Sequence, residues 1–301
     1  MSQGAIHDLG YQRYTGARRD AGTRWRVIMR HQIAMAWKTW WRFKAWLGMA
    51  VLIAFIAGAV MYIMSNRMFH GMGRMGEAVV MIRDVALPKS IAWFCRAAFI
   101  CSLTLGATII AGDLQSGAFT FYFARSTRPR DYVLGKLAGL AVLMAILTLL
   151  GPVLLAALRL GLCESTTDLV DHLSLLPKAL AVGALATCAY AAVPLGFSAL
   201  ADSRRTALAL WAAWYLVGGT IALLIGKVTH TGWILALDLP SAVDGVASRL
   251  FEVPVFAFGP AQTEVTLAQG VISLAAQIAI AVAIVASSVG RAQRSGVGGA
   301  T

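Results

Sequence analysis

The sequence predicts an all-α, polytopic membrane protein with six transmembrane helices. Three observations carry that fold class. Hydrophobic residues make up 58% of the 301 positions and charged residues only 13%, about half the share that covers a soluble globular surface. Six apolar runs reach the ~20 residues with which a helix crosses a bilayer, and the basic residues cluster in alternate connections between them. Soluble enzyme folds are excluded on composition alone, at a mean hydropathy of +0.70.

The spans are approximately Ala45–Met64, Ile91–Ala111, Gly135–Leu158, Pro177–Ala201, Thr206–Gly226 and Leu267–Val289. Pro88 and Pro177 stand near the first turn of the following helix, where a missing N–H is tolerated. Pro152 and Pro194 fall inside spans and predict kinks. An even number of spans places both termini on one side. With that side cytoplasmic, the inner segments hold seventeen basic and five acidic residues, and the outer segments eight basic and nine acidic. The net charge of +12 is therefore the positive-inside bias of a membrane chain, and nucleic acid is not an expected partner.

Taken in order, residues 1–23 form a polar cytoplasmic tail without the apolar stretch of a cleavable signal. Residues 24–44 predict an interfacial helix. Trp25, Met29, Ile33, Ala36 and Trp40 recur at helical spacing, His31, Lys38 and Arg42 lie opposite, and Trp37 and Trp41 add to the tryptophan density. Indole rings on one side and cations on the other suit a helix lying among membrane lipid headgroups. Residues 45–301 form the six-span membrane domain.

Outside, residues 65–90 bring together Met68, His70, Met72 and Met75. Thioether and imidazole donors suit Cu(I), but a loop touching lipid or neighbouring helices has the same composition, and no metal is expected. The four cysteines form no C-x-x-C pair, so no zinc or redox site is indicated. Arg96, near the outer end of its span, is expected to snorkel to the headgroups. The outer segment 227–266 is too long for an idle turn. Its two short apolar stretches predict short helices dipping into the outer leaflet, one capped by Ser241 with Val243, Val246, Ala247 and Leu250 on one face.

The cytoplasmic segment 112–134 between spans two and three carries the most information. Asp113 follows the membrane exit. A short helix from Gly117 to Arg125 then carries Phe119, Phe121, Tyr122 and Phe123, and a basic turn with Arg128 and Arg130 leads to Asp131-Tyr132 and Gly135-Lys136. A loop this aromatic needs a cover, either lipid or a protein partner. No span carries a facing His and Asp/Glu set, a Ser–His arrangement or an H-E-x-x-H helix, so no catalytic residue is expected.

This segment resembles the first cytoplasmic loop of permease subunits of ATP-binding cassette transporters, in the type-2 (ABC-2-like, six-span exporter) family. Asp113, Gly117, Ala118, Tyr132, Gly135 and Lys136 match that family's spacing, whereas Ser126 stands where proline is usual and Pro129 near where arginine is common. The resemblance extends to the layout: an N-terminal elbow helix at 24–44, six spans, a cytoplasmic coupling helix within 117–125, and short outer helices between spans five and six. It implies an ATPase-docking site at Asp113, Gly117, Phe119, Phe121, Tyr122, Phe123, Arg125, Arg128 and Arg130, with the elbow anchored by Trp25, Trp37, Trp40 and Trp41. It also implies a separate ATPase subunit holding ATP and Mg, a second permease copy or paralogue, membrane lipids around both, and a place in the inner (plasma) membrane with both termini cytoplasmic. No cofactor is expected in this chain: Gly135-Lys136 is followed by Leu137 and position 130 is Arg, so no G-x-x-x-x-G-K-[ST] phosphate loop is present. The other function compatible with the residues is a membrane anchor for a soluble partner, without transport. The charge split makes the topology testable: in intact cells, a cysteine placed by His70→Cys should react with an impermeant reagent and one placed by Asp20→Cys should not. The reverse pattern would invert the orientation.

Overall fold

The computed structural model describes residues 21–38, 43–65, 74–124, 127–163, 165–252 and 264–298, with backbone only for 21, 74–78, 121, 124 and 295–298. Among these residues there are helices and no strand. Six helical segments are long and apolar enough to span a membrane: Ala45–Met64, Val79–Gln115, Pro129–Gly161, Thr166–Leu200, Arg204–Thr229 and Leu267–Arg294. The first matches its sequence-derived bounds. The second and fourth start well before theirs: the polar stretch ahead of Ile91 is continuous helix, and a short helix, Thr166–His172, precedes the helix holding Pro177 across a turn at 173–174.

The helices, in chain order, are α1 (Arg24–Lys38), α2 (Ala45–Met64), α3 (Arg74–Thr104), α4 (Ile109–Gln115), α5 (Ala118–Ala124), α6 (Pro129–Thr148), α7 (Leu150–Gly161), α8 (Thr166–His172), α9 (Leu175–Leu200), α10 (Arg204–Ala213), α11 (Gly219–Thr229), α12 (Gly232–Leu235), α13 (Leu239–Leu250) and α14 (Leu267–Gly298). A π-helical turn, Trp214–Gly218, joins α10 to α11. Span two is thus α3 plus α4, and span three α6 plus α7. The interruption at Leu149 lies three residues before Pro152, as expected of a ring that cannot donate to the preceding turn. Pro194, by contrast, sits within an unbroken α9. Pro88 also corrects its sequence reading: it lies in the interior of α3, where Ser90 Oγ donates to Leu87 O at 2.6 Å and occupies a local carbonyl.

The core centres on α9, which packs against α14, α6, α7, α10, α3, α4 and α13. Its residues are small where neighbours come closest. A Cβ on Gly183 would lie 2.9 Å from Thr148 O, and one on Gly196 2.9 Å from the Ala281 Cβ. Such contacts let backbones approach without a hydrophobic driving force between helices. Hydroxyls add direct ties: Thr148 Oγ1 and Thr187 Oγ1 are 2.9 Å apart, and Ser288 Oγ donates to Ala199 O at 2.9 Å. An aromatic cluster links spans two, four and five. Phe99 stacks on Tyr215 with centroids 3.6 Å apart, the Tyr190 and Tyr215 hydroxyls lie 3.2 Å apart, and Trp211 Nε1 donates to Ser102 Oγ at 2.9 Å.

α1 lies along the start of α6. The sides that meet are set by two glycines one turn apart: a Cβ on Gly135 would fall 2.7 Å from Ile28 Cβ, and one on Gly139 3.2 Å from Gln32 Cβ. The inward line is therefore Ile28, Gln32 and Ala36, rotated from the Trp25–Met29–Ile33 stripe that periodicity singles out. Trp25 is half-buried and Trp37 exposed, with Trp37 5.5 Å from the Phe43 ring; Trp40 and Trp41 lie outside the described residues. Within span two, the Arg96 guanidinium lies over Trp93, 4.4 Å from its ring. α12 and α13 occupy the long segment after α11. The cap of α13 is Asp238, which accepts from Ser241 N at 3.0 Å; Ser241 itself is inside the helix. A carboxylate three residues earlier, followed by Leu239-Pro240 in the first turn, is the stronger start signal. α13 is buried on every side rather than along one face, Asp238 and Asp244 included.

Span two is interrupted at 105–108. The amides of Ile110 and Ala111, at the start of α4, both donate to Ser198 Oγ of α9 at 3.0 Å. Thr108, in the cap position, sends its own hydroxyl back to Thr104 O, so α4 is capped in trans by another span. Ser198→Ala should remove the acceptor of two buried amides and lower stability by about 1–2 kcal/mol. Thermal unfolding of the purified chain measures this, and an unchanged midpoint would refute the cap.

Candidate functional site

The segment between spans two and three begins where α4 ends. Gly117 has φ +66°, the left-handed conformation that costs a side chain about 1–2 kcal/mol. There the chain turns from α4 into α5: Gly117 N donates to Leu114 O at 3.2 Å, and Thr120 N to Gly117 O at 3.1 Å. On the far side of α5, Arg128 is extended and Pro129 opens α6. Asp131 folds back to accept from Arg128 N at 3.4 Å, an acidic group placed favourably in a first helical turn.

Asp113 is the centre of the segment. One of its carboxylate oxygens accepts from Tyr132 Oη at 2.7 Å and lies 2.8 Å from Lys136 Nζ. Lys136 is buried and Tyr132 wholly so, and the ammonium stands 5.4 Å from the Tyr132 ring centroid. The end of span two and the start of span three are thereby tied through one charge-assisted knot. A second cation closes in from α10. A Cβ on Gly112 would lie 2.6 Å from Arg204 Nε, so that side chain packs directly on the backbone at the end of span two.

The aromatics of α5 turn toward this knot. Phe119 is only 6% exposed; its ring lies 5.1 Å from Tyr132 and stacks on Phe123 at 5.6 Å. Tyr122 meets Tyr132 edge-on at 5.3 Å. Burial and the Asp113 carboxylate push the Tyr122 phenol up, keeping it neutral. α5 also touches α14. Phe119, expected on the partner-facing side, is instead part of the chain's own core. The reason is that Tyr132 and α14 offer it an apolar seat that sequence spacing does not reveal. The exposed positions around α5 are Gln115, Ser116, Gly117 and Thr120, joined by Arg128 and Arg130. The Phe121 side chain and Arg125 lie outside the described residues, as do Met68, His70, Met72 and the Met75 side chain.

Chemically, the segment is a rigid, mostly neutral platform with cations at its edge, braced from beneath. Tyr132→Phe should cost about 1.5–3 kcal/mol, the value of a hydrogen bond to a charged group. Lys136→Met should cost more, since it leaves the part-buried Asp113 carboxylate without its cation. Thermal unfolding of both variants checks the order, and equal midpoints for the two would contradict it.

A family model described as ABC-2 family transporter protein matches residues 28–231, from α1 through the end of α11. No curated protein matches the chain. The match covers more than half of the sequence, including the whole braced segment, and the chain belongs to the ABC-2 transporter family as a multi-pass membrane component of a transport system.

Proposed function

We propose that the chain is the permease subunit of an ATP-driven exporter, working with a separate ATPase subunit that docks on the segment 112–134. The observation that carries this reading is the Asp113–Tyr132–Lys136 knot. A partner pushing on α5 acts on a platform fixed to spans two and three at once, so displacement passes into the membrane domain instead of bending a loop. Gln115, Ser116, Gly117, Thr120, Arg128 and Arg130 form the docking surface in this reading, and Phe119, Tyr122 and Phe123 position it from beneath. The orientation follows from the charge split, with this face and both termini in the cytoplasm of a cell whose inner membrane holds the protein. α1 then lies at the inner headgroup layer as the elbow.

Six spans form half of a transport pathway, and the second half is a second copy or paralogue. Spans one and five are the least buried within the chain, at 22% and 17% of their apolar windows against 67% for spans two and four. Phe55, Ile56, Leu216 and Val217 are among their exposed apolar residues. Apolar faces in a bilayer are covered by lipid or by another protein, and the second permease copy is assigned here. Docking of the ATPase is tested by Thr120→Arg combined with Arg128→Glu, two exposed positions outside the core. The variant should remain folded and membrane-inserted while retaining at least about tenfold less ATPase on copurification, the effect of losing ~1.4 kcal/mol. Wild-type stoichiometry and coupled hydrolysis would overturn the docking assignment.

A further inference from the structure

The end of the bundle opposite the braced segment holds a second polar cluster. Arg159, on the last turn of α7, is 2% exposed. Its Nη2 lies 2.9 Å from His172 Nε2 and 3.4 Å from Asp84 Oδ1, and its Nη1 is 3.7 Å from Cys163 Sγ. Around it Cys163, Asp168 and His172 converge, one ligand atom of each lying within 4.8 Å of the others. Local structure brings them together. Asp168 and His172 are one turn apart on α8, and Cys163 stands just ahead of the Ser165 cap, whose hydroxyl accepts from Asp168 N at 3.1 Å. The spacing is C-x4-D-x3-H, which a search for paired cysteines passes over.

We propose that Cys163, Asp168 and His172 form an exchangeable zinc site. A thiolate, a carboxylate and an imidazole are the three donor types that Zn²⁺ accepts, at about 2.0–2.3 Å. His172 Nδ1 and Asp168 Oδ1 are already 3.0 Å apart, close to the separation of two ligands sharing one such ion. Without metal, a neutral thiol leaves Asp168 and Asp84 facing Arg159. With metal, thiolate and carboxylate neutralise the dication, and Arg159 remains paired with Asp84. His172 Nδ1 also lies 2.8 Å from Asp168 O, so binding there breaks that hydrogen bond and puts the ring proton on Nε2, facing the Arg159 amino group, which must withdraw toward Asp84 on α3. Three protein ligands leave a fourth position for water, as in sites that exchange metal. A cavity of about 420 Å³ lined by Asp84, Arg159 and His172 opens beside the cluster and gives the ion a path. One proton leaves Cys163 to solvent as the Zn–S bond forms, so affinity rises with pH.

The test uses the full-length chain in detergent, stripped of metal and titrated with Co²⁺ and then Zn²⁺. Expected are a thiolate-to-cobalt absorption band, its bleaching by one equivalent of Zn²⁺, and one zinc per chain by elemental analysis. Cys163→Ser should abolish the band, His172→Ala should weaken zinc binding by more than about tenfold, and Asp171→Asn should leave both unchanged. Gel filtration of the metal-free variants reports folding separately. No cobalt–thiolate band in the wild-type chain, whatever the variants do, would overturn the site. So would a band that persists in Cys163→Ser.

Discussion

A helix inside a bilayer can be interrupted only where a side chain, a neighbouring helix or an ordered water takes over its amides. Span two meets that constraint at 105–108, and much of the fold follows from how. Ser198 accepts the two leading amides of α4, which fixes α9 against the break. Close packing completes the seal: a Cβ on Gly106 would sit 3.0 Å from Leu140 and 3.2 Å from Pro194. The break and the proline of span four therefore face each other, and each occupies the irregular surface that the other leaves. Past the break, α4 points the chain at Arg204 and delivers Asp113 to Tyr132 and Lys136.

At that point the energetics change character. A part-buried ion pair adds little net stability over an apolar replacement, yet removing one partner is expensive, of order 3–5 kcal/mol for a fully buried pair. Its value is geometric. Asp113 has two donors from one neighbouring helix, so span two and span three hold one register at their junction. The aromatics then close over the knot. Phe119, Tyr122 and Tyr132 thereby seat α5, with its exposed Thr120, against the start of span three.

Much of this was legible in the sequence, and the exceptions have physical causes. The six spans follow from apolar length, and Asp113, Gly117, Tyr132, Gly135 and Lys136 stood out by spacing. Their mutual contacts did not, because a spacing pattern names residues without saying which way they face. Phe119 reads as exposed in a polar loop until Tyr132 and α14 are placed around it. Gly135 and Gly139 are two of 29 glycines with nothing local to mark them as a pair, and the structure uses them to seat α1. Ser198 and Arg204 carried no local signal at all, since a hydroxyl that caps another helix looks the same as any serine in a span. The Cys163–Asp168–His172 cluster was hidden for a different reason: mixed donors across a helix start match no cysteine-pair pattern. Gln32 is unexplained. It is buried, and among the described residues neither polar atom of its carboxamide has a partner.

The distribution of packing also limits where this molecule can change shape. Around α9 the helices meet through glycine, alanine and hydroxyl contacts with backbone against backbone, at Gly183, Gly196 and Ser198. Interfaces this close leave no space for helices to slide, since interiors packed to crystal density are bistable and not continuously deformable. Spans one and five have no such anchorage over most of their length, and span five contains a π-helical turn at Trp214–Gly218, a feature that locally reshapes a helix. Tyr215 within that turn stacks on Phe99 of span two and meets Tyr190 of span four. A rearrangement that preserves the α9 core must therefore involve this aromatic contact, where the fifth span, together with the Trp211–Ser102 hydrogen bond, grips the tightly held second and fourth.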